Sequence, residues 1–367
     1  MKYYFKKTLK LLLYSMIIIM VLSVIFILAL WCFSPGTAQP VIDANGKTIE
    51  GSISTIEKVT LGNLEQYVII RGVDKAKPVM LFLHGGPGSP EFSSLTNKNK
   101  GLEENFVMVY WEQRGAGKSY SKNIPVESMN IDQFIVDTKE LSEILIKKFG
   151  KEKIYIMAHS WGTLFGMLAI NKYPELYHAY FGVGQNVSYE GERVSLEWVR
   201  QQAKNSNDKK GMEELAVLTL PRQDDDFKIW FDYLSIQREY VNKYGGSIHD
   251  NSTSMTAIII EFLLSKEYTI SDKINYWKGV MFSLENLGSE MMNTNLFDEI
   301  DAIQIPVYIL QGRHDYTTPY PQAKKFLEQL KAPEKEFFTF ENSAHSPLME
   351  ETEKFNKIIL EKVDLNR

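Results

Sequence analysis

The sequence contains a single cysteine, Cys32, and no large surplus of basic residues. One thiol forms no internal disulfide and cannot build a cysteine zinc cluster, so a disulfide scaffold and a zinc-finger fold are excluded. The 367 residues carry 41 lysines and arginines against 46 aspartates and glutamates, a net charge of -5. Nucleic acid is therefore not an expected partner, because binding it requires a basic surplus. With 44% hydrophobic residues, the chain has enough apolar material for one large domain with an insertion or for two domains.

Charged side chains are also missing between Lys10 and Asp43. Residues 11–33 are almost entirely apolar, a run longer than the ~7–15 residues of a signal-peptide core and as long as a bilayer requires. Lysines precede this run, so the basic segment 1–10 is expected in the cytoplasm and the rest of the chain outside the cell. We predict a single-pass signal anchor in the cell membrane over residues 11–33. Small residues ending at Ala38 resemble a cleavage site, so secretion after cleavage is the alternative.

The predicted external part is acidic. Residues 41–367 carry 37 basic and 46 acidic side chains, a net charge of -9. An acidic domain does not adhere to anionic lipid, so the anchor alone is expected to hold the protein at the bilayer. The sequence does not determine the oligomeric state.

Short apolar runs beyond residue 41 alternate with helical patterns. Runs such as 78–83, 154–158 and 305–310 are typical of strands buried on both faces, and helical patterns follow several of them. This alternation predicts an α/β fold with a mostly parallel sheet flanked by helices. The alternation stops over residues 186–296, where helical patterns predominate. We therefore predict a core formed by residues 41–185 and 297–367, with an inserted helical cap at 186–296.

One serine lies at a predicted sharp turn between a strand and a helix. The segment 154–163 reads as a buried strand, a turn and a helix start, with Ser160 between the small residues Ala158 and Gly162. Small neighbours are required because such a turn is strained and must project the serine Oγ above the sheet. Ser160 is therefore a candidate nucleophile.

A serine nucleophile requires a base to take its proton and an acid to orient that base. In folds with this kind of elbow, the chain order is serine, acid, histidine. Asp315 follows the predicted strand 305–310 in a glycine-containing turn, and His345 lies in the loop after a last predicted strand. Since all three residues follow separate strands in the required order, we predict a Ser160, Asp315 and His345 triad.

A glycine-rich segment directly follows the predicted strand 78–83. It runs from His84 to Gly88 and reads His-Gly-Gly-Pro-Gly. Glycines allow backbone N–H groups to approach a substrate closely, and acyl transfer needs two such donors for its oxyanion. We assign the N–H groups of Gly86 and Trp161 to this role, with Gly85 as the alternative to Gly86.

Three motifs resemble the α/β-hydrolase fold, and specifically its proline iminopeptidase (prolyl aminopeptidase) branch. They are the glycine segment 84–88, the segment 112–119 (Glu-Gln-Arg-Gly-Ala-Gly-Lys-Ser) and the segment 159–162 (His-Ser-Trp-Gly). Glu112 stands where the family usually has aspartate. The resemblance covers about residues 66–185 and 298–367, and within it Arg114 is expected in a structural turn beside the pocket.

The resemblance implies a serine peptidase that releases N-terminal residues, with proline as one candidate, from short peptides. Family members present cap glutamates to the free α-amino group of the substrate, and a buried ammonium needs such a partner. Glu285 and Glu290, late in the predicted cap, are the candidate positions. No cofactor is implied, and the histidines show no zinc-ligand spacing.

Two other functions use the same sequence features. An esterase or lactonase would employ the same triad with an apolar acyl pocket. Six cap residues are candidates for lining that pocket: Trp230, Phe231, Phe262, Leu263, Trp277 and Phe282. A catalytically silent binding module would use the cap as an interaction surface.

Overall fold

A mostly parallel β-sheet forms the centre of the molecule. The structure is a computed structural model that describes residues 2–249 and 254–363. The strands are β1 (Ile53–Leu61), β2 (Leu64–Gly72), β3 (Val79–Leu83), β4 (Val107–Glu112), β5 (Ile154–His159), β6 (Tyr177–Val183), β7 (Val307–Gly312) and β8 (Lys335–Phe340). Their order across the sheet is β1-β2-β4-β3-β5-β6-β7-β8. The β1–β2 and β2–β4 pairs are antiparallel and the others parallel. This arrangement confirms the predicted α/β fold.

The described chain has one helix before the first strand and further helices that connect the strands and cover both faces of the sheet. They are α1 (Lys2–Cys32), α2 (Phe92–Lys98), α3 (Lys100–Asn105), α4 (Ile131–Phe149), α5 (Trp161–Lys172), α6 (Glu190–Asn205), α7 (Lys209–Val217), α8 (Phe227–Lys243), α9 (Met255–Leu264), α10 (Ile270–Asn293), α11 (Leu296–Glu299), α12 (Tyr320–Gln329), α13 (Pro347–Glu350) and α14 (Thr352–Lys362).

The alternation of side chains along the central strands divides the apolar core in two. In β3, Val79, Leu81 and Leu83 pack into the core on one face of the sheet. Met80 and Phe82 pack into the core on the other face. Successive side chains of a strand point to opposite faces, so a strand covered on both sides is apolar throughout. This is why β3 is recognisable in the sequence.

Helices α6 to α10 lie between β6 and β7, in the region where the sequence predicts the inserted cap. They have an apolar cluster of their own, in which Val199 of α6 packs with Trp230 and Tyr233 of α8. Helix α10 also reaches the core, since Leu287 belongs to the cluster on the sheet. The helices therefore cover one end of the sheet while remaining packed against it.

The N-terminal helix α1 stands apart from this packing. Its segment Thr8–Cys32 is 25 residues long, and none of it is buried against the rest of the described chain. By length and composition this helix is able to cross a membrane, and a signal sequence near an N-terminus has the same properties.

Candidate active site

Ser160 occupies the turn between β5 and α5. Its backbone is at φ 53° and ψ -120°, a conformation that residues with a side chain rarely adopt. The Ser160 N–H donates to the carbonyl of Val183 on β6 at 3.0 Å. A Cβ at Gly162 would lie 2.3 Å from the carbonyl oxygen of Leu83, so only glycine fits there. These constraints hold Ser160 at the apex of a tight strand–turn–helix.

Asp315 and His345 follow β7 and β8 and contact each other. Asp315 is fully buried, and its Oδ2 lies 3.0 Å from Nδ1 of His345. The backbone N–H groups of Thr317 and Thr318 both donate to Oδ1 at 2.9 Å. Gln311 Nε2 donates to Oδ2 at 2.7 Å. Asp315 is thus fixed by several donors, and it fixes the imidazole through Nδ1, leaving Nε2 for a second contact.

Ser160 and His345 line the same cavity, because parallel strands bring their carboxyl ends to one edge of the sheet. Gly184, after β6, makes room for the imidazole. A Cβ at that position would lie 2.9 Å from both Cε1 and Nδ1 of His345. The structure therefore brings the three predicted triad residues into one region.

The glycine segment after β3 packs against the serine. A Cβ on Gly85 would lie 3.0 Å from Cβ of Ser160. Gly86 has φ 116°, which favours glycine, and it lines a cavity together with Ser160 and Trp161. Both residues assigned as oxyanion donors thus lie at the cavity that contains the serine, and Gly85 packs against the serine itself.

Two lobes of the site meet at Gly86 and Ser160. The polar lobe has a volume of about 100 Å³ and is lined by hydrophilic groups that include Glu192 and Arg238. The Arg238 Nη1 donates to Glu192 Oε2 at 3.2 Å. The apolar lobe has a volume of about 230 Å³ and contains His345. Its apolar walls are Ile248, Ile258, Phe262, Tyr276 and Met349.

A second carboxylate–histidine pair lies beside the predicted triad. Glu91 Oε1 is 2.6 Å from His159 Nδ1, and His159 Nε2 is 3.0 Å from the backbone carbonyl of His345. Both ring nitrogens of His159 thus face acceptors. Burial opposes the charge on His159, but the carboxylate outweighs burial and raises the pKa of His159. Burial likewise opposes the charge on Glu91, but the charge of His159 lowers the pKa of Glu91. The raised pKa of His159 and the lowered pKa of Glu91 favour a charge-assisted pair, and the contact of His159 Nε2 with the carbonyl supports the backbone of His345.

The comparisons with known proteins agree with this geometry. A family model described as the α/β hydrolase fold matches residues 78–352, more than half of the chain. The chain belongs to the α/β-hydrolase family. A probable aminopeptidase of Bacillus subtilis (strain 168), YbaC, is 34% identical over 310 residues, which cover 83% of this chain and 94% of that protein.

Proline iminopeptidases also resemble this α/β hydrolase. The one from Clostridioides difficile (strain 630) is 25% identical over 304 residues, covering 82% of this chain and 94% of that protein. The crystal structure of the proline iminopeptidase from Mycobacterium smegmatis shares the fold, with a TM-score of 0.61 at 17% identity over 84% of this chain and 97% of that one. The predicted membership in the proline iminopeptidase-like branch is confirmed, and the protein is an α/β-hydrolase enzyme.

The two cap glutamates predicted to bind a substrate amine do not lie at the lobes. Glu285 is exposed on α10. Glu290 Oε2 accepts the backbone N–H of Ile131 at 2.8 Å, at the first residue of α4. Burial raises the pKa of Glu290. The glutamates that do line the lobes are Glu192 in the polar lobe and Glu91 and Glu350 in the apolar one. Glu192 is at the start of the cap, where the sequence shows no motif.

The six cap residues proposed for an acyl pocket are dispersed in the structure. Phe262 lines the apolar lobe, whereas Trp230 packs in the cluster of cap helices. Phe231 and Trp277 are exposed. Leu263 is half-buried and lies outside both lobes. Phe282 packs against Tyr120 with ring centroids 5.8 Å apart. The apolar lobe is instead formed by residues from several separate segments.

Arg114 lies in a structural network rather than in either lobe. Its Nε donates to Asp137 Oδ2 at 3.0 Å and its Nη2 to Asp137 Oδ1 at 3.1 Å, a bidentate pair. Both side chains are almost completely buried. Arg114 Nη2 also donates to the carbonyl of Leu61 at the end of β1. The pair ties β1 and α4 to the turn after β4, in agreement with the structural role inferred for Arg114.

Proposed function

We propose that this protein is a membrane-anchored serine hydrolase that acts as an aminopeptidase on short peptides. Proline is one candidate for the residue it releases. The observation that carries the proposal is the common cavity of Ser160 and His345, with His345 held through Nδ1 by the buried Asp315. The named aminopeptidase and proline iminopeptidase relatives support the peptidase class.

In the proposed reaction, Ser160 Oγ attacks the carbonyl carbon of the first peptide bond while His345 Nε2 takes the serine proton. The backbone N–H groups of Gly86 and Trp161 stabilise the negative charge that develops on the carbonyl oxygen. His345 then donates the proton to the leaving amine, and the acyl-enzyme is hydrolysed by water activated by the same imidazole. Asp315 keeps the imidazole in the required tautomer throughout.

An aminopeptidase must also recognise a free α-ammonium group. Glu91 is the carboxylate we assign to this role, because its Oε2 is buried at the apolar lobe and has no hydrogen-bond partner among the described residues. A buried acceptor without a partner is costly, and a substrate N–H donor would satisfy it. Glu192 is the weaker candidate, since Arg238 donates to both of its carboxylate oxygens, whereas in Glu91 only Oε1 has a partner within the described part of the chain.

The proposal includes an anchor that is retained. The segment Thr8–Cys32 would cross the membrane with the basic residues 1–10 in the cytoplasm and the hydrolase outside. This part of the proposal is supported by the length of the apolar segment and by the absence of buried residues within it.

A second function, an esterase for small acyl esters, is favoured by the apolar walls of the larger lobe. Phe262, Tyr276 and Met349 lie there together with the proposed catalytic serine and histidine. An acyl chain would be bound by the same apolar surface that would hold the side chain of an N-terminal residue. A catalytically silent binding module would hold Ser160, Asp315 and His345 in this arrangement without catalysing a reaction.

The test is a substrate panel for the full chain in detergent. We would measure kcat/KM on proline, alanine and leucine arylamides, each with a free and an acetylated amine, and on a short acyl ester, with Ser160→Ala as the control. Faster cleavage of the free-amine arylamides, lost in Ser160→Ala, is the expected result. Ester cleavage alone would establish the esterase, and turnover that survives Ser160→Ala would overturn the mechanism.

Glu91→Gln tests the amine anchor within the same panel. We expect the ratio of kcat/KM on free-amine arylamides to kcat/KM on their acetylated forms to fall at least tenfold, because only the former carry the ammonium, whereas a loss of support for His345 would slow both classes alike. If Glu91 only supports His159, both substrate classes will be affected equally. Glu192→Gln is the matched control and should leave the ratio of the two classes unchanged.

A further inference from the structure

Helices α9 and α10 of the cap both expose large apolar side chains, a set that we term the apolar face. It consists of six exposed side chains: Ile259, Ile260, Leu264, Ile274, Trp277 and Met281. Ile260 and Leu264 are one helical turn apart on α9. Ile274, Trp277 and Met281 follow an i, i+3, i+7 spacing on α10, so they form a stripe along one side of that helix. Large apolar side chains that are grouped in this way on a surface mark an interaction site.

The charges near this face are asymmetric. Between residues 256 and 281, the exposed charged side chains are Lys266 and Lys278, both basic. The acidic side chains of the same stretch are turned inward and have partners. Asp272 pairs with Lys118 at 2.7 Å, Glu261 pairs with Lys98 at 3.6 Å, and Glu267 accepts from Ser265 at 2.7 Å. The face thus differs from the acidic remainder of the domain, and apolar side chains flanked by lysines and a tryptophan suit a membrane interface.

The segment that leaves the N-terminal helix is bound to α10 and to the loop between α9 and α10. Lys273 Nζ of α10 donates to the carbonyl of Phe33 at 2.9 Å and to Ser34 Oγ at 2.7 Å. The backbone N–H groups of Gly36 and Thr37 both donate to the carbonyl of Lys266, at 3.0 and 3.2 Å, between α9 and α10. Lys273 itself is buried. Helix α1 ends at Cys32, so the point at which an anchor would leave the bilayer lies next to the apolar face.

We propose that the apolar face of α9 and α10 lies on the surface of the bilayer that α1 crosses, and forms a second membrane contact. The inference rests on the anchor in the proposed function. A bilayer is the occupant that the position favours, because the hydrogen bonds to residues 33–37 hold the face beside the end of the transmembrane helix. This proposal differs from the expectation that the anchor alone binds the membrane, which used the net charge of the domain and not the composition of this face.

The proposed contact bears on the substrate. The same two helices that present the apolar face outward contribute Ile258, Phe262 and Tyr276 to the apolar lobe of the active site. A face that rests in the headgroup region would hold this lobe close to the lipid surface. Amphipathic substrates that partition to the membrane surface would then reach Ser160 at a raised local concentration.

The experiment measures lipid contact position by position in the full chain. A fluorophore is attached to the native Cys32, and in a Cys32→Ser background to Ile260→Cys, Ile274→Cys or Val217→Cys. Val217 is an exposed apolar residue at the end of α7 and serves as the matched control. Each protein is reconstituted in phosphatidylcholine–phosphatidylglycerol vesicles with or without lipids that carry a doxyl quencher. Unchanged thermal melting confirms that each variant is folded.

We expect strong quenching at Cys32, at least threefold quenching at positions 260 and 274, and almost none at 217. Quenching at Cys32 alone would overturn the second contact and leave the anchor intact. No quenching at Cys32 would overturn both. If the labels at 260 and 274 respond instead to the protein-to-lipid ratio, a second copy covers the face and the bilayer proposal is wrong. Because no readout depends on hydrolysis, failure of the proposed reaction is detected separately.

Discussion

We predict that Glu112, which stands where the related motif usually has aspartate, makes the stability of the protein depend on pH. Its side chain is almost completely buried, and its Oε2 accepts the backbone N–H of Lys118. Burial raises the pKa of Glu112 to about 7 from an ordinary value of 4.5, although the Lys118 N–H opposes the rise. The folded chain therefore binds more protons than the unfolded chain between these two pH values. Stability falls as the pH rises through this window and stays lower above it.

The size of the effect follows from the two pKa values. Between pH 5 and pH 8, the change in proton binding costs the folded state about 2.5 kcal/mol. Glu112→Gln keeps an acceptor for the Lys118 N–H and removes the titration. We compare the melting temperature of this variant with that of the parent chain at each pH. The variant minus parent difference should be about 5 °C larger at pH 8 than at pH 5, at roughly 2 °C per kcal/mol.

The assay is thermal unfolding of the full chain in detergent, followed by tryptophan fluorescence at half-unit pH steps. Glu104→Gln is the control, because Glu104 is exposed on α3. The same substitution there should leave the pH dependence unchanged. A difference between Glu112→Gln and the parent that stays constant from pH 5 to pH 8 would refute the reasoning, since it would mean that Glu112 titrates alike in the folded and unfolded chain.

Three further substitutions test separate parts of the site. Asp315→Asn should lower kcat by about 10⁴-fold without unfolding the chain, because an amide no longer holds the required imidazole tautomer; a loss below tenfold would exclude Asp315 as the acid. Arg114→Met should destabilise the protein by about 3–5 kcal/mol in denaturant unfolding, because the buried Asp137 would lose its cationic partner and keep only the amide donors of Gln66 and Gln133, and adding Asp137→Leu should restore much of the loss. Gly162→Ala should reduce both the melting temperature and kcat/KM, since its Cβ would lie 2.3 Å from the Leu83 carbonyl oxygen; parent-like values for both would show that the elbow tolerates a side chain.

Much of the fold could be predicted because the central strands are buried on both faces. Their uninterrupted apolar runs are visible without knowledge of the neighbours in space. The elbow around Ser160 was similarly visible, because steric crowding demands small residues at fixed positions. Asp315 and His345 followed from chain order, and the structure places His345 at the cavity and Asp315 in contact with its imidazole.

Features that depend on pairs of distant residues were not predictable. Glu91 and His159 are far apart in the chain, and no periodicity relates them. Two signals were nevertheless present in the sequence: Glu91 lies just after the glycine-rich segment, and His159 is next to the candidate nucleophile. The bounds of helix α10 were likewise not fixed by the helical pattern of residues 186–296. Its start is set by a capping box, in which Thr269 and Asp272 exchange side-chain to backbone hydrogen bonds.

The cap glutamates also show that contacts between distant residues cannot be predicted from the sequence. Glu285 and Glu290 were chosen for their place late in the insertion, but an amphipathic helix presents glutamates on several sides. Which side faces the site is decided by packing. Glu192, on a different helix, lies in the polar lobe because α6 passes over the carboxyl ends of the strands. Specificity residues on an inserted subdomain therefore require the structure.

The central claim is that Ser160 is a nucleophile activated by His345. The most direct measurement is covalent labelling of the full chain with a fluorophosphonate, followed by peptide mass mapping. The account predicts one phosphonylated residue, Ser160, no adduct in Ser160→Ala, and labelling at least 100-fold slower in His345→Ala. An adduct on another residue, or equal labelling rates with and without the imidazole, would contradict it.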